Sequence, residues 1–247
     1  MANRQRAEAR RKAQAKVRTG EGGGGGGSRL WMWAALLAVI VLGVGIAIFA
    51  GKGSSTSNPP PATDAAGNNI PDSQPVTVTG DALPVLTDAG NRKPSDDPAV
   101  GTVAPVLVGK KFDGTAMTID PGKGAYMVVF LAHWCPHCNV EVPLLNNWKH
   151  SGAVPADLQV YGVTTATDAA LTNYPPSTWI SNMGWEWPVM PDESTGARAA
   201  GKGAAAFGAN GWPYFVIVGA DGKVKARSSG EITIKELQAL VDAALVA

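Results

Sequence analysis

The run Tyr126-Met127-Val128-Val129-Phe130-Leu131-Ala132-His133-Trp134-Cys135-Pro136-His137-Cys138 constrains this chain more than any other stretch. Its apolar first half reads as a buried strand. It ends at two cysteines separated by a Pro-His pair, and no other cysteine occurs in the 247 residues. A permanent bridge across so short a loop stabilises little, because loop-closure entropy grows with loop length. A dithiol that opens and closes is the better use of this spacing.

Such chemistry needs one sulfur as a thiolate near neutral pH. A free cysteine titrates at roughly 8.5, and a helix N-terminus lowers that value through its unpaired N–H groups and dipole. Cys135 follows the strand and opens the helix that carries Cys138, with Pro136 suited to the first turn because its missing N–H is not needed there. His137, when protonated, adds positive charge near the sulfur. Cys135, His137 and Cys138 are also zinc ligands by type. A closed structural zinc site takes four ligands, however, and only His133 and His150 remain as further histidines, with no second cysteine pair. Redox chemistry is preferred over metal binding or an inert pair, and no cofactor is expected.

Residues 1–29 carry eight Lys or Arg against two Glu, with six glycines at Gly22 to Gly27, and read as a disordered basic tail. Residues 30–50 form a 21-residue uncharged run opening Leu30-Trp31-Met32-Trp33, long enough to span a bilayer as one helix with tryptophans at its interface. A cleaved signal core is the competing reading, supported by the small residues around Ala47 to Gly51. The excess of basic residues before the run places the N-terminus in the cytoplasm and the remainder outside, where a thiol pair meets disulfides. Residues 51–98 are rich in Ser, Thr, Asn, Pro, Asp and Gly and read as a flexible spacer, with Val76 to Leu86 able to add a short edge strand. Eight of the 21 Lys and Arg and two of the 20 acids precede the apolar run. Residues from Lys52 onward therefore keep 13 basic and 18 acidic side chains, a net charge near −5 that argues against nucleic acid as a partner.

Residues 99–247 are enough for one sizeable core. Strands are predicted at Val103 to Val108, Ala116 to Ile119, Tyr126 to Leu131 and Leu158 to Thr164, with a helix from Cys135 to about Lys149 kinked at Pro143. A parallel βαβ unit is the natural arrangement of the central pieces. A short helix is predicted at Thr178 to Met183, a short strand at Trp187 to Met190, and a weak or broken helix at Thr195 to Phe207. Tyr214 to Val218 and Val224 to Arg227 form a hairpin across Ala220-Asp221-Gly222-Lys223. Thr233 and Glu236 make a capping box that opens a last helix to about Leu245.

Within this frame Cys135 is the candidate nucleophile and Cys138 the resolving thiol. Glu141 lies three residues beyond Cys138 on the same helix. It reads equally well as a carboxyl that moves protons to or from Cys138 and as an exposed helix residue. Trp134 offers apolar cover for the sulfurs, and His133 reads as a polar loop residue. Trp212-Pro213 precedes a strand, where a cis proline presents its backbone for pairing with an extended peptide.

From Ala99 to Ala247 the chain resembles thioredoxin-fold proteins, in particular the membrane-tethered thiol–disulfide oxidoreductases of the TlpA/ResA family. The features that carry the resemblance are Trp134-Cys135-Pro136-His137-Cys138, Glu141-Val142-Pro143, Gly211-Trp212-Pro213 before Tyr214-Phe215-Val216-Ile217-Val218, and the hairpin Gly219 to Val224. It implies an α/β thioredoxin-like fold, a central mixed sheet flanked by helices, preceded here by a single transmembrane helix. It also implies Cys135 as nucleophile, Cys138 as resolving thiol, Pro213 as a cis-proline facing them, and Glu141 near the site. Val129 stands where thioredoxin has a buried aspartate, which leaves Glu141 as the proton acceptor. Two features depart from the family. Pro136-His137 is similar to the DsbA oxidases rather than to ResA, and Trp212 stands where a small or β-branched residue is usual.

The expected function is an extracytoplasmic thiol–disulfide oxidoreductase that exchanges disulfides with exported cysteine-containing proteins, with the oxidant direction favoured and a membrane redox partner restoring the couple. The alternatives are a TlpA/ResA-like reductase supporting cytochrome c maturation, a peptide-binding module without redox turnover, and a metal-delivery protein. The chain is expected to be a monomer.

Overall fold

The computed structural model describes residues 71–87 and 96–246. The predicted basic tail, the apolar run 30–50 and the first part of the spacer lie outside the described residues. Among the described residues no helix is long and apolar enough to cross a membrane.

The architecture is set by β4 (Tyr126–Leu131), all six residues of which are buried. Because side chains alternate across a strand, Met127, Val129 and Leu131 enter one core and Tyr126, Val128 and Phe130 enter another. That double burial explains why the sequence shows no polar alternation there. Around β4 lies a five-stranded sheet in the order β6-β5-β4-β7-β8, formed with β5 (Gln159–Thr164), β6 (Val189–Pro191), β7 (Tyr214–Val218) and β8 (Val224–Ser229). β5 runs parallel to β4 and to β6, whereas β7 is antiparallel to β4 and to β8.

The first core packs the sheet against α1 (Pro136–His150), α2 (Pro176–Asn182) and α4 (Ile234–Leu245) through Val142, Leu145, Trp148, Trp179, Ile180, Leu237 and Val241. The helix α1 continues through Pro143 to His150, in line with the predicted end at about Lys149. The predicted capping box of α4 is present in both directions, with the Glu236 N–H donating to Thr233 Oγ1 and the Thr233 N–H donating to Glu236 Oε2. The Ala-rich stretch 195–207 yields only the five-residue α3 (Lys202–Ala206), whose Gly203 and Ala204 N–H groups donate to buried Asp192.

The second core lies under a small antiparallel sheet, β1 (Thr77–Thr79), β2 (Val106–Lys110) and β3 (Ala116–Ile119). Here the spacer expectation needs correcting, because part of residues 51–98 belongs to the folded unit. β1 pairs with β2, Val76, Leu83 and Leu86 are buried in the second core, and Leu83 and Leu86 donate backbone hydrogen bonds to the carbonyls of Ala206 and Gly208. Arg227 secures the same segment by donating to the Pro84 carbonyl at 2.7 Å while pairing with buried Asp97 at 2.8 Å. Gly208 is required at this seam. Its φ is +73°, and a Cβ there would sit 2.3 Å from the Pro84 oxygen.

The arrangement is thioredoxin-like, an α/β fold with a central mixed sheet between helices. Its register gathers three loops at the carboxyl end of β4. Phe130 faces Tyr214, so Pro213 lies where β4 runs out towards Cys135. Leu131 faces Thr164, which sends the loop after β5 to the same end, and Ser229 faces Tyr214, which sends the chain after β8 there too.

Candidate active site

Cys135 occupies the cap position of α1 with extended backbone, and Pro136 is the first helical residue, as Pro136 is suited to be. The Asn139 N–H and side-chain amide both donate to the Cys135 carbonyl, at 3.2 and 2.9 Å, which fixes the first turn. Cys138 lies one turn inside. Both cysteines are free thiols, Cys135 4% exposed and Cys138 fully buried, so what little surface the pair offers belongs to Cys135.

The two sulfurs titrate far apart. Cys135 is lowered to about 6, chiefly because the Cys138 thiol donates to it, then by the N–H groups of Cys138 and His137 and the charge of His137, with burial opposing. Cys138 is pushed strongly upward, first by burial and then by giving its proton to the Cys135 sulfur, with the charges of Cys135 and Glu141 adding to the effect. The pair is therefore one ready thiolate above one retained proton.

The peptide bond Trp212–Pro213 is cis, as the resemblance implies. The Cys135 thiol donates to the Trp212 carbonyl at 3.4 Å. On ionisation that donation is exchanged for the hydrogen bonds the thiolate accepts from its own helix turn. Glu141 is fully buried, which removes the exposed-helix reading. Its Oε2 accepts from the Ile232 N–H at 3.1 Å, and its Oε1 has no hydrogen-bond partner among the described residues. Burial lifts this carboxyl to about 7, against the Ile232 N–H and with help from the charge of Glu231.

His137 is exposed, with Nδ1 2.6 Å from Glu231 Oε1, and this hydrogen bond raises its pKa. His133, by contrast, is buried. Its Nδ1 donates to the Thr172 carbonyl at 2.8 Å and its Nε2 accepts from the Asp168 N–H at 3.2 Å, which defines one neutral tautomer. Burial, the largest influence on it, lowers its pKa in keeping with that state. It thus serves as a post for the loop after β5, and Trp134 does the same by donating from Nε1 to the Ala166 carbonyl at 2.7 Å. Among the described residues no group of three or more His, Cys, Asp or Glu is arranged to hold a metal ion.

The geometry brings Cys135, Cys138, Glu141, His137 and Trp212–Pro213 together. Sequence reasoning missed Asn139, Glu231 and the Ile232 N–H. Asn139 carries no signal of its own, while Glu231 could have been found only by placing the end of the hairpin beside α1.

Residues 100–227, just over half of the chain, match the AhpC/TSA family model. No curated protein matches the chain. Among solved structures, a thioredoxin-family thiol:disulfide interchange protein from Chlorobium tepidum TLS is 23% identical, with 58% of this chain and 95% of that one covered and a TM-score of 0.46. StoA from Bacillus subtilis is 18% identical over 58% and 98% of the two chains, with a TM-score of 0.45. A secreted Mycobacterium tuberculosis disulfide oxidoreductase is 21% identical over 55% and 94%, with a TM-score of 0.41.

Proposed function

We propose, on the premise that this chain belongs to the AhpC/TSA family and is a thiol–disulfide oxidoreductase, that Cys135 and Cys138 form its redox couple and donate their disulfide to exported cysteine-containing proteins. A substrate thiolate attacks Cys135 Sγ and the Cys135–Cys138 bond breaks. Cys138 leaves and takes up a proton, and the substrate is held to Cys135 as a mixed disulfide. A second substrate thiolate then attacks its partner sulfur and Cys135 leaves as a thiolate. Two substrate thiols are oxidised to a disulfide while the couple is reduced to the dithiol.

The observation that carries this reading is the unequal pair, a thiolate-forming Cys135 at the helix start over a buried Cys138 that keeps its proton. Cys138 is a poor thiolate in its buried site, so its departure needs a proton at hand. Glu141, titrating near 7, is partly protonated at neutral pH and supplies one. A thiol at about 6 rather than roughly 8.5 stabilises the reduced form by about 1.4 kcal/mol at pH 7, equivalent to about 30 mV for two electrons. That moves the couple in the oxidising direction, though it spans only a fraction of the about 150 mV between thioredoxin and DsbA.

A reductase of the TlpA/ResA kind is the second reading, and Glu141 is what favours it. Its charge bears on Cys138, raising that thiol, and it matches the glutamate that the ResA-like branch places near the site. Trp134, Trp212 and Pro213 line the proposed peptide-binding side, and the run 30–50 supports an anchor that holds the domain outside the membrane. Cys138→Ser should trap substrates as mixed disulfides through Cys135, visible on non-reducing gels, whereas Cys135→Ser should trap none and lose exchange. Trapping by the opposite variant, or exchange that survives Cys135→Ser, would reject the assignment.

A further inference from the structure

Three consecutive residues after β8 make contacts out of proportion to their length. The Gly230 N–H donates to the Pro213 carbonyl at 2.8 Å, Glu231 Oε1 lies 2.6 Å from His137 Nδ1, and the Ile232 N–H donates to Glu141 Oε2 at 3.1 Å. One tripeptide therefore touches the cis-proline turn and two points of α1 on either side of Cys138. Gly230 makes this path possible, since its φ is +88° and a side chain would be strained there.

An exposed ion pair alone is worth little, because ordering two free side chains offsets its attraction. The Glu231 and His137 side chains are 45% and 65% exposed, so their attraction is weakened by solvent, but the backbone fixes one of them in place. Glu231 is held on both sides by hydrogen bonds to the site itself, so its carboxylate starts from a fixed position.

We infer that the Gly230–Ile232 tripeptide is the positioning element of this redox site, and that Glu231 acts through His137 to set how readily the turn carrying Cys135 supports a thiolate. The inference rests on the redox reading above and adds a residue to it. The ionisable groups that bear on His137 are Glu231 and Cys135, those on Cys135 are Cys138 and His137, and those on Glu141 include Glu231. A single carboxylate thus favours the protonated form of His137 and of Glu141 at once, and only the first of these reaches the Cys135 sulfur.

The test uses the full-length reduced chain, with the His137 midpoint read by NMR and the Cys135 midpoint read from the pH dependence of alkylation. Glu231→Gln should lower the His137 midpoint by about half a pH unit, the scale of an exposed ion pair, and raise that of Cys135 by less. Alkylation below the midpoint should slow measurably, by less than about threefold. In a His137→Ala background, Glu231→Gln should leave Cys135 unmoved. An unchanged His137 midpoint in Glu231→Gln, or an equal Cys135 shift without His137, would overturn the inference, the latter by reducing Glu231 to a structural strut. These midpoints are read without substrate, so a parent chain that fails to exchange disulfides rejects the proposed function and leaves this result standing.

Discussion

Glu141 and Cys135 are linked to pH with opposite sign. The folded carboxyl is raised to about 7 from an ordinary 4.5, so its contribution to stability is fully present below about 4.5 and is lost as pH rises through 7. Cys135 is lowered to about 6, so its contribution is present above the unfolded thiol value of roughly 8.5 and is lost as pH falls through 6. Replacing Glu141 by Gln should therefore remove a loss of about 2–3 kcal/mol between pH 5 and 8, measured by denaturant unfolding in a Cys135→Ser/Cys138→Ser background. In the cysteine-containing protein the same change should flatten the pH–rate profile of exchange near 7, and an inflection that persists would take the proton role away from Glu141. The two cysteines were legible from their spacing alone. The state of Glu141 was not, because what buries and partners it is Ile232, 91 residues away, and nothing in the local pattern separates that from an exposed turn.

At the scale of elements, the legible pieces were those whose signals are local. The β4 run, the β7–β8 hairpin and the Thr233–Glu236 box each specify themselves within a few residues. The segment 71–87 was only partly legible. A short edge strand within Val76 to Leu86 is expected from the sequence, and β1 is that strand. The burial of the segment was not legible, since its apolar residues are scattered through Pro-, Ser- and Asp-rich surroundings. What orders it is tertiary. Val76, Leu83 and Leu86 fill the second core, and Arg227 holds the Pro84 carbonyl from the far strand of the sheet. Leu86→Ala should accordingly destabilise the folded unit by about 2–5 kcal/mol in thermal or denaturant unfolding, the usual range for truncating a buried leucine. A spacer residue would show no change, and that result would remove the segment from the core.

For the molecule as a whole, the proposed placement of the thiol pair outside a membrane rests on the apolar run 30–50 and the basic tail before it. In intact cells a membrane-impermeant maleimide should label reduced Cys135, and labelling only after lysis would put the domain on the wrong side. The most direct test of the central account is the equilibrium reduction potential of the Cys135–Cys138 couple in the full chain against glutathione at pH 7. A stabilised Cys135 thiolate and a disulfide-donating role predict a value above about −200 mV, towards the about −120 mV of a strong oxidant. A value near −270 mV or lower would contradict the account and make the protein a reductant.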